Sequence, residues 1–398
     1  MVAGDLSVPS GGPSDCLVQG RLIGWQRAWP PGWPRKVVSR GLTWPWINKV
    51  WPPLKVPRPR KKRRPSLESR VEDLLVQGVI EPSVGKVFMN HLFEVPKRDS
   101  LETRLVLDLS RLNCYIEPLR FRMTSPSHVR LALFPGAFLA SVDLKDAYWH
   151  VPINCRFRMF LAFAIGSQVY RFKVLPFGLS LPPRVFTKMM VPVCSRLISL
   201  GVNILFYLDD WLIVGDSQED CARMIDITLS VGKEMGLAFN IPKSHLCPTQ
   251  SLTWIGLVWD TVSQTVALSV RNRARCWSKV FLAIHSRTLS RRRWESLIGS
   301  LNFAAVVVPL GRLRLRRLIL EGRRVFNSVD RDRLVRFPQR LRNLLRWWLR
   351  ASRLDSVTPW ISPPPSVTVV TDASDIGRGF QTSEGHQESG LWTEEWRW

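Results

Sequence analysis

Asn203-Ile-Leu-Phe-Tyr-Leu-Asp-Asp-Trp-Leu-Ile-Val214 reads as strand, tight turn, strand. Two apolar runs, one ending near Leu208 and one starting at Trp211, flank the acids Asp209 and Asp210. Acids are poor strand residues and expensive to enclose, so such a pair calls for a cation to offset it. A second misplaced acid lies 66 residues upstream, where Asp143 ends another apolar strand candidate, Phe138 to Val142. Three carboxylates on adjoining strand ends can bridge two Mg²⁺ ions, which take hard oxygen ligands and leave positions open for phosphate. Two such ions activate a hydroxyl and stabilise a leaving pyrophosphate in an in-line displacement. Periodicity leaves open whether the two strands are neighbours, and an Asp-Asp turn alone is weak ground for a metal site.

Outward from this turn the pattern alternates between strand and helix. A helix from about Glu219 to Met235 follows and stops at Gly236. Another short hairpin spans Leu252 to Leu268. Upstream, Pro182-Pro183 opens a helix whose Phe186, Met189, Met190, Val193 and Leu197 sit at helical spacing. Arg158 to Ile165 and Gln168 to Val174 make a hairpin around Gly166-Ser167. The runs from His91 and from Arg104 flank a polar turn and make an earlier one. Before them, Ser66 can cap a helix with Leu67, Val71, Leu74, Leu75 and Val79 on one face, ended by Gly78. Residues 1–65, rich in Pro, Gly, Trp and Arg, read as a partly disordered leader.

The chain has 398 residues, enough for two or three domains. Its formal net charge is +25, unevenly spread. Arg271 to Arg353 holds 22 Lys and Arg against 4 Asp and Glu, so this helical stretch carries +18. Such an excess favours a polyanion partner, because neutralising phosphates releases counterions, although a solvated basic surface would look similar. The run Pro59 to Pro65 reads as a nuclear import signal, a phosphate contact or a plain linker. Seven well-separated cysteines without a CxxC pair argue for a reducing compartment, and no apolar run is long enough to span a membrane. A Pro-rich linker, Ser362 to Ser366, precedes a last strand, Val367 to Thr371.

Ordered motifs then point to a family. Ser141-Val-Asp-Leu-Lys-Asp-Ala-Tyr148, Leu175-Pro-Phe-Gly-Leu-Ser180 with Pro183-Arg-Val-Phe-Thr-Lys188, and Tyr207-Leu-Asp-Asp210 resemble the palm motifs of reverse transcriptases. The wording is most similar to DIRS-like, tyrosine-recombinase retrotransposons. Asn90-His-Leu-Phe-Glu-Val-Pro-Lys97, Arg104-Leu-Val-Leu-Asp-Leu109, Leu252-Thr-Trp-Ile-Gly256 and Thr371-Asp-Ala-Ser374 extend the likeness over roughly residues 70 to 395.

The resemblance implies roles. Asp143 and Asp209 are the direct ligands of two Mg²⁺ (or Mn²⁺) ions, with Asp210 in support. Asp146 and Ala147 offer backbone N–H groups to the triphosphate. Tyr148 falls where the family keeps a bulky ring against a 2′-hydroxyl, so deoxynucleotides are the expected substrate. Lys97 and Arg104 match the pair that grips the incoming phosphates. Phe177-Gly178 begins the segment beneath the template base, and Lys243 is a candidate for protonating pyrophosphate. Thr253 to Trp259 resembles the primer grip. The basic helices then follow the backbone of the hybrid duplex, contacting phosphate and sugar rather than base edges. Trp347-Trp348 suits core packing better than stacking on nucleic acid.

Thr371-Asp372-Ala-Ser374 resembles the opening strand of an RNase H domain, with Asp372 as its first acid. Only 26 residues follow Asp372, so an incomplete domain without RNase H activity is expected. Leu105 and Trp149 depart from the family pattern, and such departures suit a truncated or decaying copy. The expected fold is α+β, a right-hand polymerase with fingers, antiparallel-sheet palm and helical thumb. The expected divisions are a leader (1–65), fingers and palm (66–270), basic thumb and connection (271–361), and linker with RNase H start (362–398). The expected activity is RNA-directed DNA synthesis from dNTPs on an RNA template with a DNA primer, holding the RNA/DNA hybrid, in nucleus or cytoplasm and away from membranes. The rivals are a catalytically silent nucleic-acid-binding relic, an RNA-dependent RNA polymerase, and a nucleocapsid-like protein that leaves the acids unexplained.

Overall fold

The computed structural model describes residues 31–57, 65–96, 103–350, 353–361 and 366–392. By chain contacts it divides into a large unit, Met1–Thr358, and a small one, Pro359–Trp398. Within the expected leader, residues 31–57 are ordered. Helix α1 (Trp33–Arg40) buries Val37 and Val38, and the segment after it buries Leu42, Trp44 and Trp46 in the main core. Single bridges tie it down, Leu42 to Ile153, Trp46 to Ile116 and Lys55 to Val87. Burial of large apolar rings outweighs low periodicity, which is why pattern alone missed this strap. The basic run at 58–64 lies outside the described residues.

Helix α2 (Pro65–Val76) starts one residue before Ser66, with Pro at its first position, so Ser66 is inside the helix instead of capping it. Leu67, Val71 and Leu74 are buried as spaced, and Gly78 turns the chain at φ 68°. Strands β1 (Ile80–Pro82), β2 (Met89–Pro96) and β3 (Thr103–Asp108) lead into α3 (Ser110–Asn113) and α4 (Pro126–Ala132). Strand β4 (Phe138–Asp143) belongs to a different sheet from β5 (Ala162–Ile165) and β6 (Gln168–Phe172). The first sheet runs β1-β6-β5-β2-β3, antiparallel except for β2 beside β5. The predicted strand over Arg158–Leu161 is a short 3₁₀ turn, and pairing starts only at Ala162.

Helix α5 (Pro182–Ser199) precedes β7 (Ile204–Tyr207) and β8 (Asp210–Gly215), and α6 (Gln218–Glu234) precedes β9 (His245–Thr249). These strands make an antiparallel sheet in the order β7-β8-β4-β9. Phe186, Met189, Met190, Val193 and Leu197 of α5 are all fully enclosed, as their spacing predicts. Trp211, Leu212 and Ile213 of β8 are equally enclosed, so this central strand is fixed from both faces.

Beyond the sheet, β10 (Ser251–Trp254), β11 (Leu257–Asp260) and β12 (Thr265–Leu268) form an antiparallel meander, one strand more than a hairpin. Then come α7 (Val270–His285), β13 (Thr288–Ser290), α8 (Arg291–Ala304), α9 (Gly311–Phe326), β14 (Leu334–Arg336) and α10 (Gln339–Leu349). The basic stretch is therefore helical, and its helices pack on Leu297, Leu301, Leu318, Leu345 and Trp348. Trp347 and Trp348 meet edge to face at 5.2 Å and are buried, so they are core residues.

The small unit holds β15 (Val369–Ala373), β16 (Gly377–Thr382) and β17 (Gln387–Leu391) in an antiparallel meander. Three strands stand where the pattern predicted one. Gly377, Gly379 and Gly390 and the many polar residues hide the alternation that marks a half-buried strand.

Candidate active site

Strands β4 and β8 end together, with Asp143 and Asp210 directly opposed in the ladder. On the other side β8 pairs with β7 so that Tyr207 faces Asp210, leaving Leu208 and Asp209 as a two-residue turn. Leu208 has φ 56°, a left-handed conformation that costs a leucine roughly 1–2 kcal/mol. The turn is held from beneath, because the Leu144 N–H donates to the Asp209 carbonyl at 2.9 Å. Asp143 and Asp210, 67 residues apart, are thereby gathered with Asp209 at one end of the two inner strands.

Their charges work against one another. Burial, then Asp209 and Asp143, push Asp210 up to about 6. Burial first and Asp209 next also raise Asp143, while Lys243 and a hydrogen bond from the Asn240 side chain pull it down. Lys243 is thus close enough to moderate both acids, although its own side chain is exposed on a short 3₁₀ turn, Ile241–Lys243. Opposed like charges destabilise a ladder, so this strand end is poised for a cation.

The donor set fits Mg²⁺ in kind. Among the described residues no group of three or more His, Cys, Asp or Glu is arranged to hold a metal ion. Mg²⁺ is generally held by one or two carboxylates together with substrate phosphates instead of an all-protein cage, so an open carboxylate edge suits it.

Segment 238–244 was silent in the sequence apart from Lys243, and it is what aligns Asp143. The Asn240 N–H donates to the Asp143 carbonyl at 2.7 Å, and the Asp143 N–H donates to Ser244 Oγ at 3.0 Å. The Lys145 N–H donates to the Ala238 carbonyl at 2.8 Å. The Ala238 N–H donates to His150 Nε2 at 3.0 Å, while His150 Nδ1 lies 3.0 Å from the Ala147 carbonyl. That pattern places the proton on Nδ1 and leaves Nε2 as acceptor. His150, Asn240 and Ser244 carry no signal in one sequence, because nothing in local spacing says which carbonyl they meet.

Asp146, exposed and left-handed at φ 49°, opens the 3₁₀ turn Ala147–His150, where Ala147 is buried. This turn presents Tyr148 to Phe177, with ring centres 5.1 Å apart, and edge-on to Phe186 at 5.9 Å. Gly178 at φ 106° passes so close to β3 that a Cβ there would sit 2.1 Å from the Leu107 carbonyl. Asn113 clamps the same bend, donating to the Gly178 carbonyl and accepting from the Ser180 N–H, both at 2.9 Å. Lys97 lies outside the described residues. Arg104 stands on β3 opposite Val95. Asp372 belongs to the small unit, on the exposed strand β15.

Tyr207 and Asp210 line a cleft of about 1070 Å³. Its far wall is the β10–β11 turn, Ile255-Gly256, and the helix residues Asn272, Arg275 and Ser300. Ile255 and Gly256 both have positive φ, the geometry of a tight hairpin turn. Asn272 Nδ2 donates to the Gly256 carbonyl at 3.0 Å, fastening the turn to α7.

The family model described as reverse transcriptase (RNA-dependent DNA polymerase) matches residues 57–259, half of the chain. The chain belongs to the reverse transcriptase family. This reverse transcriptase domain is 26% identical over 252 residues to the Pro-Pol polyprotein of feline foamy virus, covering 62% of the chain and 20% of the relative. It is 30% identical over 182 residues to Protein P of duck hepatitis B virus, covering 44% of the chain and 21% of the relative. The chain therefore spans about a fifth of these two relatives. Among solved structures it is similar to a foamy viral protease-reverse transcriptase in complex with RNA/DNA hybrid. The TM-score is 0.61 at 18% identity, over 95% of this chain and 53% of that one. A second foamy viral protease-reverse transcriptase structure, with double-stranded DNA, gives a TM-score of 0.60 at 18% identity, over 95% and 68%. At these identities the likeness bears on the fold alone: a mixed α/β architecture like that of the foamy viral enzyme.

Proposed function

We propose that this chain is an RNA-directed DNA polymerase that extends a primer 3′-hydroxyl with dNTPs on an RNA template. The observation that carries the reading is the opposed pair Asp143 and Asp210, with Asp209 in the adjoining turn, beside a cleft of about 1070 Å³. The family model described as reverse transcriptase, and the foamy viral protease-reverse transcriptase structures solved with double-stranded DNA and RNA/DNA hybrid, support it.

Asp143 and Asp209 would hold two Mg²⁺ (or Mn²⁺) ions, with Asp210 in support. Bound there, the ions supply Lewis-acid stabilisation of the attacking and leaving oxygens. The protein's own part is placement. Lys97 and Arg104 grip the triphosphate, and the backbone of Asp146 and Ala147 supports it. Tyr148, backed by Phe177 and Phe186, bars a 2′-hydroxyl by its bulk. Phe177-Gly178 lies beneath the template base. Lys243 delivers a proton to pyrophosphate.

The finer readings belong to the same proposal. Residues 66–270 are fingers and palm and 271–361 are thumb and connection of a right-hand polymerase, after a leader over 1–65. The motif wording supports a DIRS-like retrotransposon source acting in nucleus or cytoplasm. The β15–β17 meander around Asp372 supports an RNase H-like start in 362–398. Primer extension on poly(rA)/oligo(dT) tests the polymerase. Wild type should extend with dTTP, Asp209→Asn should lose at least about a hundredfold, and Tyr148→Ala should admit UTP. A wild type without extension, or an undiminished Asp209→Asn, overturns the proposal.

A further inference from the structure

Beyond the Tyr148 turn the chain runs from Val151 to Asn154 between two other backbone segments, bridged through Ile153 to Leu42 and through Pro152 to Val174. On one side the Ile153 N–H donates to the Lys173 carbonyl at 2.8 Å, and the Leu175 N–H donates to the Val151 carbonyl at 2.9 Å. On the other side lies the strap. The Leu42 N–H donates to the Pro152 carbonyl at 2.7 Å, and the Asn154 N–H donates to the Leu42 carbonyl at 3.0 Å. Leu42, Val151, Ile153, Val174 and Leu175 are all buried, so this small ladder is shielded from water.

Two rings of the nucleotide pocket hang from the ladder. Tyr148 stands just before the middle segment, and its carbonyl accepts from the Val151 N–H at 3.1 Å. Phe177 stands just after the far segment, with its ring centre 5.1 Å from that of Tyr148. The strap also grips the chain further on. Asn154 Nδ2 donates to the Arg40 carbonyl at 2.7 Å. Trp44 meets Phe157 edge-on at 4.7 Å, and Trp46 meets Phe160 edge-on at 4.8 Å. Approach is closest at Gly41, whose φ of 79° suits glycine, and where a Cβ would lie 2.3 Å from the Asn154 nitrogen. No side chain fits between strap and segment there.

We propose that the strap is a positioning element for sugar selection, in which Gly41 and Leu42 set how far the Tyr148 ring stands into the nucleotide pocket. The inference rests on the polymerase reading and on Tyr148 as the group that bars a 2′-hydroxyl. Steric exclusion works only while the blocking ring cannot retreat. The middle segment is bonded along both sides, and a close-packed interior passes a shift at one wall to its neighbours. Gly41 and Leu42 therefore act through Tyr148 and not on the nucleotide.

The test is single-nucleotide extension of poly(rA)/oligo(dT) by the full chain, with kcat and KM measured for dTTP and for UTP. The readout is the ratio of the two kcat/KM values. Gly41→Ala should lower the preference for dTTP about tenfold, short of the roughly hundredfold that a misplacement of about 1 Å can cost. The fall should come from faster use of UTP, with kcat for dTTP near the parental value. Asn154→Ala removes the clamp on Arg40 from a half-exposed position and leaves the ladder in place. It should lower the preference in the same sense by less, which covers a Gly41→Ala chain that folds poorly. In Tyr148→Ala no ring is left to position, so adding Gly41→Ala should change nothing further. Leu318→Ala opens a cavity in the buried side of α9, away from the ladder, and should keep the parental preference. Parental preference in both Gly41→Ala and Asn154→Ala overturns the proposal. So does an equal fall in Leu318→Ala, or a further fall when Gly41→Ala is added to Tyr148→Ala. A parent that does not extend with dTTP overturns the polymerase reading instead, and a Tyr148→Ala enzyme that still rejects UTP overturns the role of that ring.

Discussion

The burial and crowding that lift Asp210 to about 6 bear on stability as well as on catalysis. A carboxyl whose folded pKa exceeds its unfolded value binds its proton more tightly when folded. Its contribution is therefore present at low pH and lost as pH rises from about 4 to about 6. Without added metal, the melting temperature should fall across that window, and Asp210→Asn should flatten the fall; an unchanged profile in the variant would show that the acid is not strained. On the proposed metal site, added Mg²⁺ should restore much of the loss above pH 6, where the carboxylates are deprotonated. His150 makes a different residue-scale prediction. It fastens Ala238 to the turn carrying Tyr148, and through segment 238–244 it bears on Asp143 and Lys243. His150→Ala should cost about 1–2 kcal/mol of stability in urea melts and lower kcat more than it raises KM for dNTP. A His150→Ala enzyme with full kcat would reduce the residue to a packing role. The acids were legible in the sequence because charge at the end of an apolar strand is anomalous. His150, Asn240 and Ser244 were not, since their partners are backbone groups brought near only by folding.

Among the elements, the hairpin tip at Ile255-Gly256 depends on one side chain of the next helix. Asn272 fills the place a Cβ on Gly256 would take, its Nδ2 only 2.2 Å from that position, and binds the Gly256 carbonyl. Asn272→Ala should leave the helix intact, since Ala is the better helix former, but release the tip that faces Tyr207 and Asp210 across the cleft. Primer–template off-rate should rise several-fold while single-nucleotide kcat changes little, measurable by trap-challenged extension; an unaltered off-rate would remove the clamp from the account. Helices and central strands of this region were readable because their apolar spacing is regular, as in α5 and β8. The strap through Trp44 and Trp46 and the meander through Gly377 and Gly379 were not. The first is held by tryptophans without period, and the second has little buried face to generate one.

At the scale of the whole molecule the two units differ in what supports them. Every enclosed apolar residue of the described chain lies at or before Trp360, and all three strands β15–β17 are open to solvent. A sheet of three short strands needs a covered apolar face to persist in water, because backbone hydrogen bonds alone barely offset chain entropy. The enclosed residues around Asp143 and Asp209 all belong to the large unit. A chain ended after Ile361 should melt within about 2 °C of the full one, since exposed residues contribute only tenths of a kcal/mol each. It should extend primers at the same rate, and a peptide of residues 362–398 should show the circular dichroism of an unfolded chain. A shortened chain that melts far earlier would mean that the meander is covered by something in the intact protein, and that its exposed strands are an interface.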